Sequence, residues 1–207
     1  NDPDIQISNL DLNGDNMVDY IRVVEAAENS THLIILQAVL GPEVFQDVAT
    51  IEVERDRNNN VQVQFVGDVY MYGPNYIYEP VYYRPAIYDV FWVNSYRPYY
   101  SPWYWGYYPT YYTYWAPYPV YRYRNNVHVH INSRHTYVYA NNRRSTRAAT
   151  MYTSRRQNDF ERRNPNTSFT SRNKNVTNRQ ALEQNRVASR ASAREAKATR
   201  SSFTNSS

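Results

Sequence analysis

Two runs decide the fold: Val48-Ala49-Thr50-Ile51-Glu52-Val53-Glu54 and Val61-Gln62-Val63-Gln64-Phe65, joined by residues 55–60 with three successive asparagines. In the second run apolar and amide side chains alternate strictly, which gives a strand one apolar face. A short asparagine-rich connection joins neighbouring strands antiparallel, because a parallel return needs a long crossover. The same reading extends upstream. Residues 32–40 and 20–27 read as strands, Ile5 and Ile7 alternate with Gln6 and Ser8 as a first short strand, and Gly41-Pro42 is a break. The expectation is a mainly β chain, with residues 1–68 forming a small antiparallel β-meander. A unit of that size lies near the lower limit for stability from its own core.

Downstream the composition changes. Residues 69–124 hold nineteen of the twenty-three tyrosines, all four tryptophans and eight of the eleven prolines. A stretch such as Tyr99-Tyr100-Ser101-Pro102-Trp103-Tyr104-Trp105-Gly106-Tyr107-Tyr108-Pro109 has neither helix nor strand period, and reads as irregular. Only Tyr70, Tyr72, Tyr76 and Tyr78 alternate, which predicts an extended start laid on the sheet. Residues 125–140 read as a β-hairpin, with Val127, Val129 and Ile131 on one face and His128 and His130 on the other. Residues 141–207 form an Arg/Asn/Ser-rich tail. It is expected to be irregular, disordered or ordered only on a partner, with one helix over residues 181–198. A capping box of Thr177 with Gln180 starts that helix, and Arg186, Arg190 and Arg194 form a basic stripe along it.

The aromatic stretch also divides the charge. Residues 1–90 carry fifteen acids and four arginines, net −11, whereas residues 91–207 carry nineteen bases and four acids, net +15. The arginines therefore point to an acidic partner: the chain's own first half, a further copy, or a polyanion. The absence of cysteine excludes disulfides, thiolate metal sites and a cysteine nucleophile. Asn1 in place of methionine reads as a processed chain or a fragment, with signal-peptide removal as one natural cause. The longest apolar run, residues 33–40, is too short to span a bilayer, so no transmembrane segment is expected.

The most specific motif is Asp11-x-Asn13-x-Asp15-x-Met17-x-Asp19. Side chains at alternate loop positions can converge on calcium, with the Met17 carbonyl at position 7. Position 12 of an EF-hand, normally glutamate, is Arg22 here. The spacing instead resembles the Asp-rich calcium loops of integrin-type propellers and thrombospondin-like proteins, which end at position 9 and run into a strand. The glycine usual at position 6 is Asn16, a residue that also tolerates the left-handed conformation. The expectation is a structural calcium ion held by Asp11, Asn13, Asp15, Met17 and Asp19. His128 and His130, with His135 across the turn, are a weaker candidate for zinc or copper, because no carboxylate or thiolate completes the shell. None of the nucleotide-binding, nucleophile-elbow or zinc-protease motifs occurs. A carboxylate pair among Glu25, Glu43, Glu52 and Glu54 falls at alternating strand positions, where solvated charges are expected. No enzyme and no small-molecule substrate is expected.

The rings form the largest apolar surface without an assigned role. Tyr99, Tyr100, Trp103, Tyr104, Trp105 and Trp115, with Arg186, Arg190 and Arg194, are the expected binding surface. So many rings exceed what a small sheet can bury, which points to a partner or self-association. Tyrosine and tryptophan platforms also bind polysaccharide or stack nucleic-acid bases.

Asp11-Leu-Asn-Gly-Asp15, Asp19-Tyr-Ile-Arg-Val-Val-Glu25, residues 31–40, residues 45–56 and Tyr70-Met-Tyr-Gly-Pro-Asn-Tyr-Ile-Tyr-Glu-Pro80 together resemble a group of uncharacterised exported Tyr-rich proteins of Bacteroidota. That resemblance spans about residues 5–125. It implies a periplasmic, outer-membrane-associated or extracellular location and assigns no catalytic residue. The resulting expectation is an exported structural or interaction protein, a subunit of an envelope complex or extracellular assembly. The alternatives are a polysaccharide- or nucleic-acid-binding module and a hydrolase.

Overall fold

A computed structural model of the chain describes residues 1–81, 87–131 and 135–204. At its centre is one six-stranded antiparallel sheet whose spatial order follows the sequence: β1 (Tyr20–Glu28), β2 (Thr31–Gly41), β3 (Val44–Arg55), β4 (Val61–Gly67), β5 (Ile77–Pro80) and β6 (Tyr137–Ala140). The strands expected at residues 20–27, 32–40, 48–54 and 61–65 are β1 to β4. Each of their turns contains a residue at positive φ. Asn29 lies at 53° between β1 and β2, and Glu43 follows Pro42 at 52° between β2 and β3. In the β3–β4 turn Asn59 lies at 63° while the Asp56 carboxylate accepts the amides of Asn58 and Asn60.

A bulge shapes the middle of the sheet. Leu36 pairs with Ala49 but Gln37 pairs with Asp47, leaving Val48 out of the ladder. The Val48 carbonyl instead accepts the Asp68 amide. Since β4 ends opposite Ala49, the first half of β3 has a free side. The tail fills it, with the Asp47 amide donating to the Gln157 carbonyl at 2.8 Å.

Three expectations are corrected. Residues 5–8 form no strand: Ile5 and Ile7 are exposed and Gln6 has a φ of 54°. Two alternating apolar residues are too few to hold a strand without a partner. The hairpin expected at 125–140 is instead a helix, α3 (Val120–His130), followed by β6 alone; the turn residues 132–134 lie outside the described ones. Pro119 presets the helix start, and Val129 is exposed rather than facing the sheet. Of the tyrosines expected to extend the chain at residues 70–78, Tyr70 and Tyr72 lie in α1 (Val69–Tyr72), Tyr76 in the connection and Tyr78 in β5, with Asp68 capping the helix by accepting the Tyr70 amide.

The tail is not the expected irregular segment with a single helix. After α2 (Ile87–Val90) and α3, it forms α4 (Thr146–Arg155), α5 (Asp159–Arg163), a 3-10 turn (Pro165–Thr167), α6 (Phe169–Arg172) and α7 (Arg179–Thr204). Ser145 caps α4 by accepting the Ala148 amide. That helix lays Ala148 and Met151 on Leu33 and Ile35, beside Val24, Ala26 and Tyr152. Burial of such a side chain contributes roughly 1.5–3 kcal/mol. Few apolar residues suffice because they recur at helical spacing and because charge holds the rest, as shown below. Phe169 of α6 is buried near α1. Gly73 ends α1 at a φ of 77°, and a side chain there would meet the Thr177 carbonyl at 2.6 Å. The cap of α7 is Asn178, which accepts the Ala181 amide, rather than Thr177.

Candidate binding surface

The aromatic segment is inserted between β5 and β6, and the sheet edge anchors it. Glu25 on β1 donates its amide to the Tyr99 carbonyl at 2.7 Å, and Ser101 donates to the Val23 carbonyl at 2.9 Å. These bonds occupy the outer edge of β1. Beyond them Tyr104 and Tyr107 exchange two backbone hydrogen bonds around Gly106, whose φ of 76° makes a tight tip. The segment then turns inward. Tyr112 and Trp115 are buried with Val18, Tyr20, Val39 and Phe45, and Trp103 and Tyr108 pack against that cluster.

The segment is therefore two-sided. Tyr99, Tyr100, Tyr104 and Trp105 are exposed, as the sequence reading expects, and Tyr107, Tyr111 and Tyr114 join them on the outside. Trp115 is a correction: it belongs to the core, where its carbonyl accepts the Val18 amide. Trp103 is only partly accessible. Nothing in the sequence separates these rings, because no period survives to mark the inner ones.

A second anchor lies on the opposite face. His32 Nδ1 stands 2.8 Å from Glu25 Oε1, and Tyr96 Oη and the Tyr99 amide donate to Glu25 Oε2. Phe91, Trp92 and Tyr96 surround the imidazole. Burial pushes the Glu25 carboxyl up, but donation by His32, Tyr96 and Tyr99 outweighs it and holds the group below its usual value. Of the other carboxylates raised as catalytic candidates, Glu52 and Glu54 lie two apart on β3 and line one small cavity, but Glu52 is buried and paired with Arg143 at 2.5 Å, while Glu43 is exposed in a turn.

Part of the charge division resolves within the chain. Arg143 pairs with Glu52, Arg144 with Glu79, Arg155 with Glu28, and Arg156 with Asp68 and Glu161. Four sheet-side acids thus receive four tail arginines. The hub is Asp68, whose side chain is fully buried. Besides the Tyr70 amide it accepts Tyr152 Oη at 2.8 Å, and Arg156 donates Nε at 2.9 Å and a terminal nitrogen at 3.0 Å. The stripe on α7 is left over: Arg186, Arg190 and Arg194 are all exposed, four residues apart on one helix.

Asp47, next to this hub, is wholly buried. Burial pushes its carboxyl up to about 6, against donation from Gln37 and the Gln157 amide. The folded state then holds a proton that the unfolded chain has released. Stability contributed by this group is therefore present at low pH and falls as pH rises from about 4 to about 6. Facing charges are Asp68 and Arg156. Denaturant titrations across that range should show Asp47→Asn losing this slope, a change of up to roughly 1.4 kcal/mol per pH unit.

In the loop of residues 11–19 the carboxylates turn onto the loop's own amides. Asp11 accepts Gly14 and Asn16, Asp15 accepts Met17, and Asp19 accepts Leu12. Asn16 has a φ of 62°, the left-handed conformation that its place in the motif requires. Burial pushes Asp19 up to about 7, with Asp11 and Asp15 adding like charge. Among the described residues no three or more acidic, histidine or cysteine side chains form a metal-binding group. A hard cation would be held here only if Asp11, Asp15 and Asp19 turned from those amides to the ion. Calcium binding predicts a thermal midpoint raised by calcium and lowered by chelator, with Asp15→Ala abolishing the response. An identical melt in both conditions would exclude it. His128 and His130 fall in the last turn of α3, where residues two apart point to different sides, so they do not form the expected pair.

In architecture the chain is a six-stranded antiparallel meander wrapped by the helices of its own tail. No family model, curated protein or solved structure matches it. Among the described residues no helix is long and apolar enough to cross a membrane.

Proposed function

We propose that this chain is a non-enzymatic interaction protein of an exported structural assembly. In this reading a rigid sheet presents an aromatic shelf and a basic helix to further copies or to another large component. The observation that carries it is the shelf: Tyr104, Trp105, Tyr107, Tyr111 and Tyr114 stay exposed although the chain on either side of them is pinned, to β1 at Tyr99 and Ser101 and to the core at Trp115. Fixed rings lose little entropy on contact and make large interface area. The second contribution is α7, whose exposed arginines complement acidic surface, such as Asp2, Asp4, Asp15 and Glu43 of another copy. Export rests on the sequence resemblance.

Sedimentation velocity over micromolar to submillimolar concentrations tests this. Association is expected, weakened by salt and abolished by the combined substitutions Tyr104→Ser, Trp105→Ser and Tyr107→Ser, with the thermal midpoint unchanged. A monomer at every concentration and salt level, with no stoichiometric partner in native purification, would sink the reading. Polysaccharide binding is the second reading, favoured by the arginine cavity described next.

A further inference from the structure

We propose that the cavity of about 330 Å3 around Arg22 is a binding site for a uronic acid residue of an acidic polysaccharide. Three elements converge there. The β1–β2 register sets Arg22 opposite Gln37, residues 99–101 on the outer edge of β1 bring Tyr100, and the end of α4 brings Arg155 and then Gln157.

Arg22 is the central observation. It is only 8 % exposed, yet among the described residues its side chain bonds an amide and no carboxylate lies within ion-pair distance of it. Its Nε donates to Gln37 Oε1 at 2.7 Å, and Gln37 Nε2 donates to Asp47 Oδ1 at 2.7 Å. An amide therefore stands between the cation and the nearest buried acid. The guanidinium carbon lies 3.6 Å from the Phe45 ring centroid and 5.7 Å from that of Tyr100. Ring contacts orient a guanidinium without neutralising it. Burial accordingly pulls the Arg22 pKa down, against the Tyr100 hydroxyl and the more distant carboxylates of Glu43 and Asp47. A buried cation without a directly paired anion is costly, and an entering carboxylate would offset that cost through a two-pronged contact.

The remaining walls select what carries the carboxylate. Arg155 supplies a second guanidinium at the rim, where its 3.1 Å pair with Glu28 is exposed on both sides and readily exchanged. Glu25 also lines the cavity, but its oxygens are committed to His32, Tyr96 and Tyr99. The Tyr100 ring is 62 % exposed, a flat apolar wall of the kind that stacks on the C–H face of a pyranose. Gln157, also exposed, offers an amide for hydroxyl groups. A planar carboxylate on a hydroxylated ring satisfies all of these groups. Sulfate or phosphate would leave the ring wall unused. The volume lies at the small end for ligand sites and suits one or two sugar rings.

Isothermal titration with short oligomers of galacturonate, glucuronate, mannuronate and guluronate tests this on the full chain. At least one series should bind, with the methyl ester and the neutral sugar weaker by about tenfold or more. Arg155→Ala leaves an exposed position and should fold normally, and it should weaken binding by a similar factor. Arg22→Gln should abolish binding, and its thermal midpoint reports whether the fold survives. Absence of binding by all four series overturns the proposal, as does equal binding of ester and acid, or Arg155→Ala and a folded Arg22→Gln matching wild type. Equally tight binding of sulfate would make it a general anion site, and Arg155-dependent binding of a Glu-rich peptide alone would make it a protein contact. Either result overturns the sugar assignment. The Tyr104/Trp105/Tyr107 variant should lose self-association yet keep uronate binding, which separates failure here from failure of the assembly reading.

Discussion

Asp68→Ala is expected to lower folding stability by about 3–5 kcal/mol, read from denaturant unfolding, because it strands a half-buried arginine. Its buried carboxylate accepts the α1 cap amide, the Tyr152 hydroxyl and two nitrogens of Arg156. Removing it leaves Arg156, among the described residues, with Glu161 as its one ion-pair partner and a half-buried phenol without its acceptor. The comparison is Glu79→Ala. That acid also meets an arginine through two bonds, but the Arg144 side chain is 57 % exposed, and the loss should stay within about 1 kcal/mol. Adding Arg156→Met to Asp68→Ala should recover much of the loss, since the penalty arises from the unpaired charge. If Asp68→Ala costs no more than Glu79→Ala, the tail is not locked to the sheet at this point.

Trp115→Ala should cost about 3–5 kcal/mol. The indole closes the cluster of Val18, Tyr20, Val39, Phe45 and Tyr112, and its ring nitrogen donates to the Ser8 carbonyl. Nearby, Asn9 exchanges two hydrogen bonds with the backbone of Tyr118. The substitution should therefore also loosen residues 8–19, and any calcium response of that loop should weaken with it. Trp105→Ala, at the exposed tip, should stay within about 0.5 kcal/mol on the same measurement. Equal losses at the two tryptophans would contradict the division into inner and outer rings.

Alternation and turn residues made β1 to β4 legible as strands, but showed neither the bulge in β3 nor the burial of Glu25 and Glu52, which the pattern placed in solvent. Asparagine and proline marked their turns. The same logic failed at Val127-His128-Val129, where three alternating residues imitate a strand inside a helix started by Pro119. It failed again in the tail, where Ala148, Met151 and Phe169 are too sparse to register as a core until the sheet beneath them is known. The charge division did point to the tail's partner, since the acidic first half was one of the surfaces available to its arginines. Tyr99, Tyr100, Tyr104 and Trp105 were legible as surface rings, whereas Trp115 was not separable from them. Arg22 gave no signal beyond breaking the EF-hand pattern, because its isolation depends on Gln37 and Asp47 across two further strands.

The place of the aromatic segment also bears on the order in which the chain folds. The contacts of β1 to β4 are hairpin-local and can form without the rest. β6 reaches β5 only after the whole excursion through residues 81–136, and α4 can settle on β2 only after that. Closing so long a loop costs entropy that local hairpins do not incur, so the last strand and the tail should be the slow steps. Until they dock, the apolar face formed by Leu33 and Ile35 is bare. In a chain that emerges from N- to C-terminus, that face would stay open to other chains until α4 of its own basic tail covers it.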